Sequence, residues 1–269
     1  GQTLTQLGYY GGTDAPDIVG NFKIDQAWGL LQVSGAAHEV SGVGFGSTSS
    51  NVLQALGHPE SKWGYAVAGA LQLKNLPTGP GDDLKIEGTY TEGALKYILG
   101  QSGAAPANFA VYGTGTYATG VVQDAVYAGT SSGAANFVPL QLTKAYGMRG
   151  GFTHNWNAYW SSGVFGSYTH VDYNATASSL ICSGYGTTIT TRTGVCNPDY
   201  NLSQVGLITR WTPVKGLTFS GEGMWTNIDQ KNTGTATITP PGSSLKPAGT
   251  YSFKDQDVYS GVLRVQRDF

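Results

Sequence analysis

Residues 259–269, YSGVLRVQRDF, alternate between apolar and polar side chains. One face of an extended strand here would carry Tyr259, Gly261, Leu263, Val265 and Phe269. The opposite face would carry Ser260, Arg264, Gln266 and Asp268, and Val262 is the one apolar residue on it. A strand with one apolar face and one charged face suits a wall between lipid and a water-filled lumen. The segment therefore predicts a membrane-spanning β-strand, and its four large apolar residues, Tyr259, Leu263, Val265 and Phe269, are the candidate C-terminal assembly signal.

Composition favours a large β-structure and excludes one class of partner. The 269 residues include 40 Gly, 16 Tyr and 6 Trp, and only 12% are charged. No window approaches the ~18 consecutive apolar residues of a membrane helix, so a membrane protein of this composition would be a barrel. The net charge of −2 and the scarcity of basic clusters argue against a nucleic-acid partner.

The candidate strands are separated by connectors that alternate between short and long. We predict strands near 16–24 and at 62–74, 83–97, 139–154, 158–172, 200–212, 216–229 and 256–269. Tight turns are expected near 25–26 and at 75–82, 155–157 and 212–215. Long outer loops are expected at about 41–61, 98–138, 173–199 and 230–255. Outer-membrane barrels sort their connectors in this way, with turns on one side and loops on the other.

The pattern predicts an all-β fold, an antiparallel meander of about nine long transmembrane strands. The stretch 98–138 has two interpretations, a long outer loop or an extra hairpin partly tucked into the lumen. Its VVQDAVYAG run is a candidate short strand.

Charged residues on the polar parity of these strands are the candidate pore-lining residues. They are Lys23, Lys74, Lys85, Glu87, Arg149, Arg210, Glu222 and Arg264. Of these, Arg210, Glu222 and Arg264 are expected at comparable depth on the last three strands, as a charged ladder of cross-strand neighbours. The alternative for each residue is a solvated wall position without effect on conductance, because wide pores tolerate many lumen substitutions.

The two cysteines, Cys182 and Cys196, lie in one Gly/Ser/Thr-rich stretch. In an oxidising compartment a disulfide is expected, and closing a loop of this length is worth about 3 kcal/mol in the chain-entropy model. The alternative is a pair of free thiols in a loop.

Five segments together resemble one known family. They are PDIVGNFKIDQAWG (16–29), KWGYAVAGALQLKNLPTGPGD (62–82), LQLTKAYG (140–147), HVDYN with the cysteine loop ending in CNPDY (170–200), and DQDVYSGVLRVQRDF (255–269). They are similar to alphaproteobacterial outer-membrane porins of the Rhizobium and Brucella type. The resemblance covers almost the whole chain and matches the C-terminal part of such a porin.

The resemblance implies a general diffusion porin of the bacterial outer membrane, in contact with outer-membrane lipid. It implies a sixteen-strand-type barrel, a homotrimer, and passive passage of ions and small hydrophilic solutes without a cofactor. Such porins begin with a signal peptide and an N-terminal half that this chain lacks. We therefore interpret 1–269 as a single transmembrane domain, a C-terminal fragment that forms an open, curled sheet or a smaller closed barrel. The loop that narrows the pore is expected to be missing with the earlier half.

The sequence can also be compared with two other classes of protein, enzymes and secreted binding proteins. The four histidines have no metal-binding spacing, and no Ser, His and acid combination has a recognisable catalytic context, so we expect no enzyme, no catalytic residue and no metal site. A secreted β-rich adhesin or carbohydrate-binding protein is the alternative, with Tyr and Trp stacking on sugars. Such a protein would fold without detergent.

Overall fold

The computed structural model describes residues 10–12, 14–43, 57–100, 108–130, 133–184, 189–238 and 247–268. Sixteen strands and two helices form within these residues. In chain order they are β1 (Ile18–Asp25), β2 (Gly29–Val40), β3 (Lys62–Lys74), β4 (Asp83–Glu92), α1 (Lys96–Leu99), β5 (Asn108–Tyr112), β6 (Thr116–Val121), β7 (Ala125–Thr130), β8 (Gly133–Leu142), β9 (Lys144–Asn155), β10 (Trp160–Asp172), α2 (Ala175–Gly184), β11 (Ile189–Arg192), β12 (Tyr200–Val214), β13 (Leu217–Gln230), β14 (Thr235–Ile238), β15 (Gly249–Phe253) and β16 (Gln256–Arg267).

Nine strands form one antiparallel sheet in the order β1, β2, β3, β4, β9, β10, β12, β13 and β16. Their lengths range from 8 to 15 residues, near or above the ~9 to 11 residues of a tilted membrane-spanning strand. The predicted all-β fold with about nine long antiparallel strands is confirmed. Within the described residues β1 and β16 each pair on one side only, so the sheet is open rather than a smaller closed barrel.

The register assigns each residue of this sheet to one of two faces, because directly opposed residues of antiparallel strands point to the same side. One face, which we call the outer face, exposes large apolar side chains. They include Phe22, Leu31, Val33, Tyr65, Val67, Ile86, Tyr90, Tyr146, Met148, Val164, Tyr168, Val205, Leu207, Trp211, Phe219, Tyr259, Leu263 and Val265. The opposite face, which we call the inner face, carries mainly small, polar and charged residues, with a few large apolar ones among them, such as Phe165, Ile208 and Val262.

The largest buried cluster lies where the long connectors fold over one end of the inner face. Tyr200 on β12 is fully buried there and donates a hydrogen bond of 3.0 Å to the carbonyl of Val121. The Tyr173 hydroxyl donates to the same carbonyl over 2.8 Å. Leu95 and Val126 are fully buried in the same cluster. These connectors therefore form a packed cover on the sheet.

The connector between β4 and β9 is longer at both ends than predicted, because both flanking strands are shorter than expected. The predicted strand 83–97 is too long, because Gly93 adopts a φ of 68° and α1 follows. The predicted strand 139–154 begins too early, since residues up to Leu142 belong to β8 and pair with β7. Leu140 is accordingly buried, 1% exposed, instead of facing outward. Between them lie two hairpins, β5–β6 and β7–β8, whereas the prediction for 98–138 was a long loop or one hairpin.

One short turn lies two residues later than predicted. The predicted turn 212–215 is mostly strand, because β12 continues to Val214. Its register with β13 is irregular between Trp211 and Val214. The turn to β13 consists of Lys215 and Gly216, and Gly216 adopts a φ of 78°. A two-residue hairpin turn with a positive φ matches the right-handed twist of its strands.

Asp82 joins two of the short turns. Its carboxylate accepts hydrogen bonds from the Thr78 hydroxyl (2.7 Å), the backbone N–H of Asn155 (2.8 Å) and Nδ1 of His154 (2.6 Å). Burial alone would raise the pKa of Asp82, but these hydrogen bonds outweigh it and lower the pKa from 3.8 to about 2. The turn between β3 and β4 is thereby fastened to the end of β9.

The cysteine connector is structured and cross-linked. Cys182, in α2, forms a disulfide with Cys196, with 5.9 Å between their Cα atoms. The predicted bridge is confirmed. The connector between β13 and β16 contains β14 and β15, which join β11, β6 and β5 in a five-stranded sheet.

Some predictions fall on residues that the structure does not describe. Phe269, the last residue of the candidate C-terminal assembly signal, lies outside the described residues, as do 44–56 of the predicted loop 41–61.

Candidate functional site

All eight charged residues singled out in the sequence lie on the inner face. Lys23 heads one cross-strand row, which runs through Gln32, Ala70 and Glu87 to Arg149. The same register assignment places Lys74, Lys85, Arg210, Glu222 and Arg264 on this face. The period-two pattern of each strand was sufficient to find them, because a strand alternates its side chains whatever its partners are.

The charged inner-face residues on β4 and β9 form ion pairs. Arg149 contacts its direct cross-strand neighbour Glu87 at 2.8 Å. Lys85 contacts Asp83 at 3.0 Å, two residues earlier on the same strand. Exposed pairs of this kind contribute about 0–1 kcal/mol to stability, so their effect is mainly on the local charge.

A third pair links Lys74 to Asp25 at 2.5 Å. Asp25 and Asp83 were missed as functional candidates, although both share the polar parity of their strands. The sequence predicts a tight turn at Asp25, and aspartate is common in turns, so its polar parity alone did not indicate a functional role.

The predicted ladder on the last three strands is arranged differently from its expectation. Arg210 and Arg264 share one cross-strand row with Ser220 between them, and Glu222 lies in the next row, opposite Val262. In the part of the chain that the structure describes, no carboxylate lies within 4 Å of either guanidinium. These residues border a cavity of about 380 Å³. The effect of these charged residues on ion selectivity remains a prediction.

A larger cavity of about 570 Å³ lies on the inner face and extends from β2 and β3 to β12. Its floor includes Phe165, whose direct neighbours on the two flanking strands are Gly151 and Gly206. A Cβ added at Gly206 would overlap the Phe165 ring, whose Cε1 lies 2.9 Å from that position. The ring therefore lies against the backbone of β12. Polar and charged residues, among them Lys85, Glu87, Arg149 and Arg210, border the same cavity.

The connector after β4 approaches the inner face directly. Tyr97, Ile98 and Leu99 of α1 border a cavity of about 270 Å³ together with Glu87 and Arg149. The resemblance implies that the loop that narrows the pore is missing with the earlier half, and this stays a prediction. The segment between β4 and β9 is a separate one that borders the inner face.

A charged cluster holds this connector to the first two strands. Asp17 accepts from Lys96 Nζ (2.7 Å) and from the Tyr97 hydroxyl, and its carboxylate lies 2.8 Å from His38 Nδ1. Asp124, fully buried, lies 3.6 Å from His38 Nε2. Burial raises the pKa of Asp17, but the hydrogen bonds from Lys96, Tyr97 and His38 outweigh it and hold that pKa well below its usual range. These residues come from four separate segments, so no local pattern could group them.

The outer face carries an aromatic group near the short turns. The rings of Trp160 and Trp211 stack at 5.8 Å, and Phe219 continues the group 5.4 Å from Trp211. Tyr259, Leu263 and Val265 of the candidate C-terminal assembly signal lie on the same face of β16.

Neither a spanning helix nor a metal centre occurs in the described ranges. No helix there is long and apolar enough to cross a membrane. No group of three or more His, Cys, Asp or Glu side chains in those ranges is placed to hold a metal ion.

Comparison with known proteins identifies the family. No curated protein sequence matches the chain. The crystal structure of the outer membrane channel DcaP of Acinetobacter baumannii is similar with a TM-score of 0.50 and 12% sequence identity, a similarity of fold alone. The match covers 97% of this chain and 56% of that channel, so this chain spans just over half of its length. A family model described as the porin subfamily matches residues 2–262, and the chain therefore belongs to the porin subfamily.

Proposed function

We propose that this chain is the wall of a general diffusion channel in the bacterial outer membrane, passing ions and small hydrophilic solutes without a reaction or a cofactor. The observation that carries the proposal is the separation of the two faces of the nine-stranded sheet. All eight charged residues predicted to line a pore lie on the inner face, while the outer face exposes large apolar side chains. Membrane barrels have this arrangement, with lipid outside and water inside.

The outer face supports contact with lipid rather than with water. Leu263 is 90% exposed and Met148 is 61% exposed, and both belong to a continuous apolar surface. Soluble monomers rarely expose contiguous apolar patches of more than a few hundred Å². A secreted adhesin would have to cover this surface, and the described residues provide no second layer over it.

The two open edges support a larger barrel. In hydrocarbon each unpaired backbone N–H or C=O costs several kcal/mol, so β1 and β16 require partners. We propose that an N-terminal segment supplies the missing strands, which makes residues 1–269 the C-terminal domain of a sixteen-strand-type barrel. The Rhizobium and Brucella type of this porin and its assembly as a homotrimer are proposed from the sequence resemblance.

The inward-lying connector supports a narrowed channel. The α1 residues face Glu87 and Arg149 across the cavity of about 270 Å³, so solutes on this route would pass between a loop and a charged wall. We propose that the inner-face charges bias the channel between cations and anions. Arg210 and Arg264, which have no carboxylate within 4 Å among the described residues, would favour anions.

Planar-bilayer recording tests the proposal. The complete native chain, refolded in detergent, is expected to produce steady conductance steps in KCl. The 269-residue chain is recorded beside it and is expected to stay silent, because its sheet is open. Silence from both would refute the channel. A complete chain that stays folded and monomeric without detergent would favour the secreted binding protein.

A further inference from the structure

We propose that the cavity of about 570 Å³ on the inner face is a binding subsite for small aromatic carboxylates. Phe165 is the stacking surface and Arg210 holds the carboxylate. This inference rests on the proposed channel function and names a class of solute that the channel would retain during passage.

Phe165 provides a flat apolar surface. Its neighbours in the cross-strand row are both glycines, and Gly206 is buried beneath the ring. No side chain from either neighbour competes for the space of the ring, which lies against the backbone at Gly206 and borders the cavity. Ile208, the next inward residue on β12, extends the apolar floor. A planar aromatic body fits such a surface by offset stacking.

The charges around this floor favour an anion. Glu87 is paired with Arg149 and Asp83 with Lys85, so both acids on the border already have a cation. Arg210 borders the same cavity and has no carboxylate within 4 Å in the described part of the chain. Arg210 is therefore a cation on this border with no carboxylate within 4 Å among the described residues; Glu222, which borders the neighbouring cavity of about 380 Å³ with it, lies beyond that distance. The fork of N–H groups on Arg210 fits a carboxylate.

The size of the cavity limits the solute. A volume of about 570 Å³ falls within the range of about 300–1,000 Å³ that is typical of small-molecule sites. The apolar floor and the free guanidinium lie two inward positions apart along the wall, with Ile208 between them. A single ring with one carboxylate is the smallest solute that uses both.

Current block by defined probes tests the subsite in the complete native chain. Benzoate carries both features, acetate only the carboxylate, and benzyl alcohol only the ring. Benzoate is expected to reduce the open-channel current in a saturable way at concentrations where the other two have no effect.

Phe165→Ala and Arg210→Gln are each expected to raise the half-blocking concentration of benzoate at least tenfold. Phe165→Leu covers Gly206 without a flat ring, so it repeats the test if the alanine variant does not fold.

Arg264→Gln is the matched control for charge. Arg264 is in the same cross-strand row as Arg210 but does not border the larger cavity. Its removal is expected to alter ion selectivity and to leave the benzoate block within twofold of the native value. An equal loss of block in both arginine variants would overturn the proposal in favour of a general electrostatic effect.

The remaining outcomes also decide the question. Block by acetate as strong as by benzoate would overturn the role of Phe165, and block by benzyl alcohol unaffected by Arg210→Gln would overturn the anionic solute. Conductance without benzoate block would refute the subsite while leaving the channel intact. If the chain does not conduct, the channel proposal fails, and calorimetric titration of benzoate into the detergent-solubilised protein then tests the subsite alone.

Discussion

Two neighbouring positions on β16 allow the assignment of the faces to be tested with one substitution. Leu263 is 90% exposed on the outer face, and Val262 lies on the inner face opposite Glu222. We expect Leu263→Arg to destabilise the folded protein in a membrane and Val262→Arg to have little effect. The same side chain is introduced in both variants, so only the direction in which it points differs.

The expected cost follows from the position of Leu263 along its strand. The residue lies about one and a half positions from the middle of Gln256–Arg267. With ~3.4 Å per residue and a tilt of ~45°, this places it within about 4 Å of the bilayer midplane. An arginine facing lipid at that depth costs about 2–4 kcal/mol. The folding equilibrium should therefore shift by roughly 30- to 1,000-fold. Val262→Arg should stay within about 0.5 kcal/mol, since it faces water and a carboxylate.

Urea unfolding of the complete native chain in lipid vesicles measures the difference, followed by the change in electrophoretic mobility on unfolding. Equal stability of the two variants would show that the outer face is not in lipid. A larger loss for Val262→Arg would reverse the assignment of the faces and refute the channel model with it.

Three further predictions address other parts of the chain. Replacing both Cys182 and Cys196 by serine should lower the stability of the cover by about 3 kcal/mol in the chain-entropy model, seen as faster hydrogen exchange in 175–199, while the exchange of the sheet is unchanged. Arg264→Glu should move the reversal potential in a KCl gradient towards cation selectivity, and an unchanged potential would contradict a lumen position for this residue. Because folding lowers the pKa of Asp82 from 3.8 to about 2, its stabilising effect is complete above pH 3.8 and is lost as the pH falls towards 2. The protection factors of the amides in the 75–82 turn, which are corrected for the intrinsic pH dependence of exchange, should fall over that window, and in Asp82→Asn they should be low at every pH in it.

The two faces of the nine-stranded sheet could be predicted from the sequence, because the face of each side chain depends only on its position along its own strand. The side on which Lys85 or Glu87 points depends only on counting by twos along one strand. The row shared by Arg210 and Arg264 depends further on the turns between strands, so counting along single strands could not show that Ser220 lies between them and Glu222 in the next row. The Pro213 in TPVK suggested a turn, whereas the residues that turn the chain are Lys215 and Gly216.

The cover was not predictable, because its contacts join residues far apart in the sequence. Leu140 has the alternation of a wall strand, and only its pairing with the preceding hairpin shows that it belongs elsewhere. The packing of Phe165 on Gly206 and the meeting of Asp17, His38 and Lys96 likewise depend on tertiary neighbours.

The parallel pairing of β15 with β6 has a consequence for the order of folding. It brings Ser252 beside Thr116, and the Gln256 amide donates to the Thr116 hydroxyl across 140 residues of chain. The wall, by contrast, consists mostly of hairpins between neighbouring segments. Contacts of high contact order form slowly, because the entropy of closing a long loop is lost before any contact forms. The cover should therefore close last, so the nine-stranded sheet would form while its inner face is still uncovered.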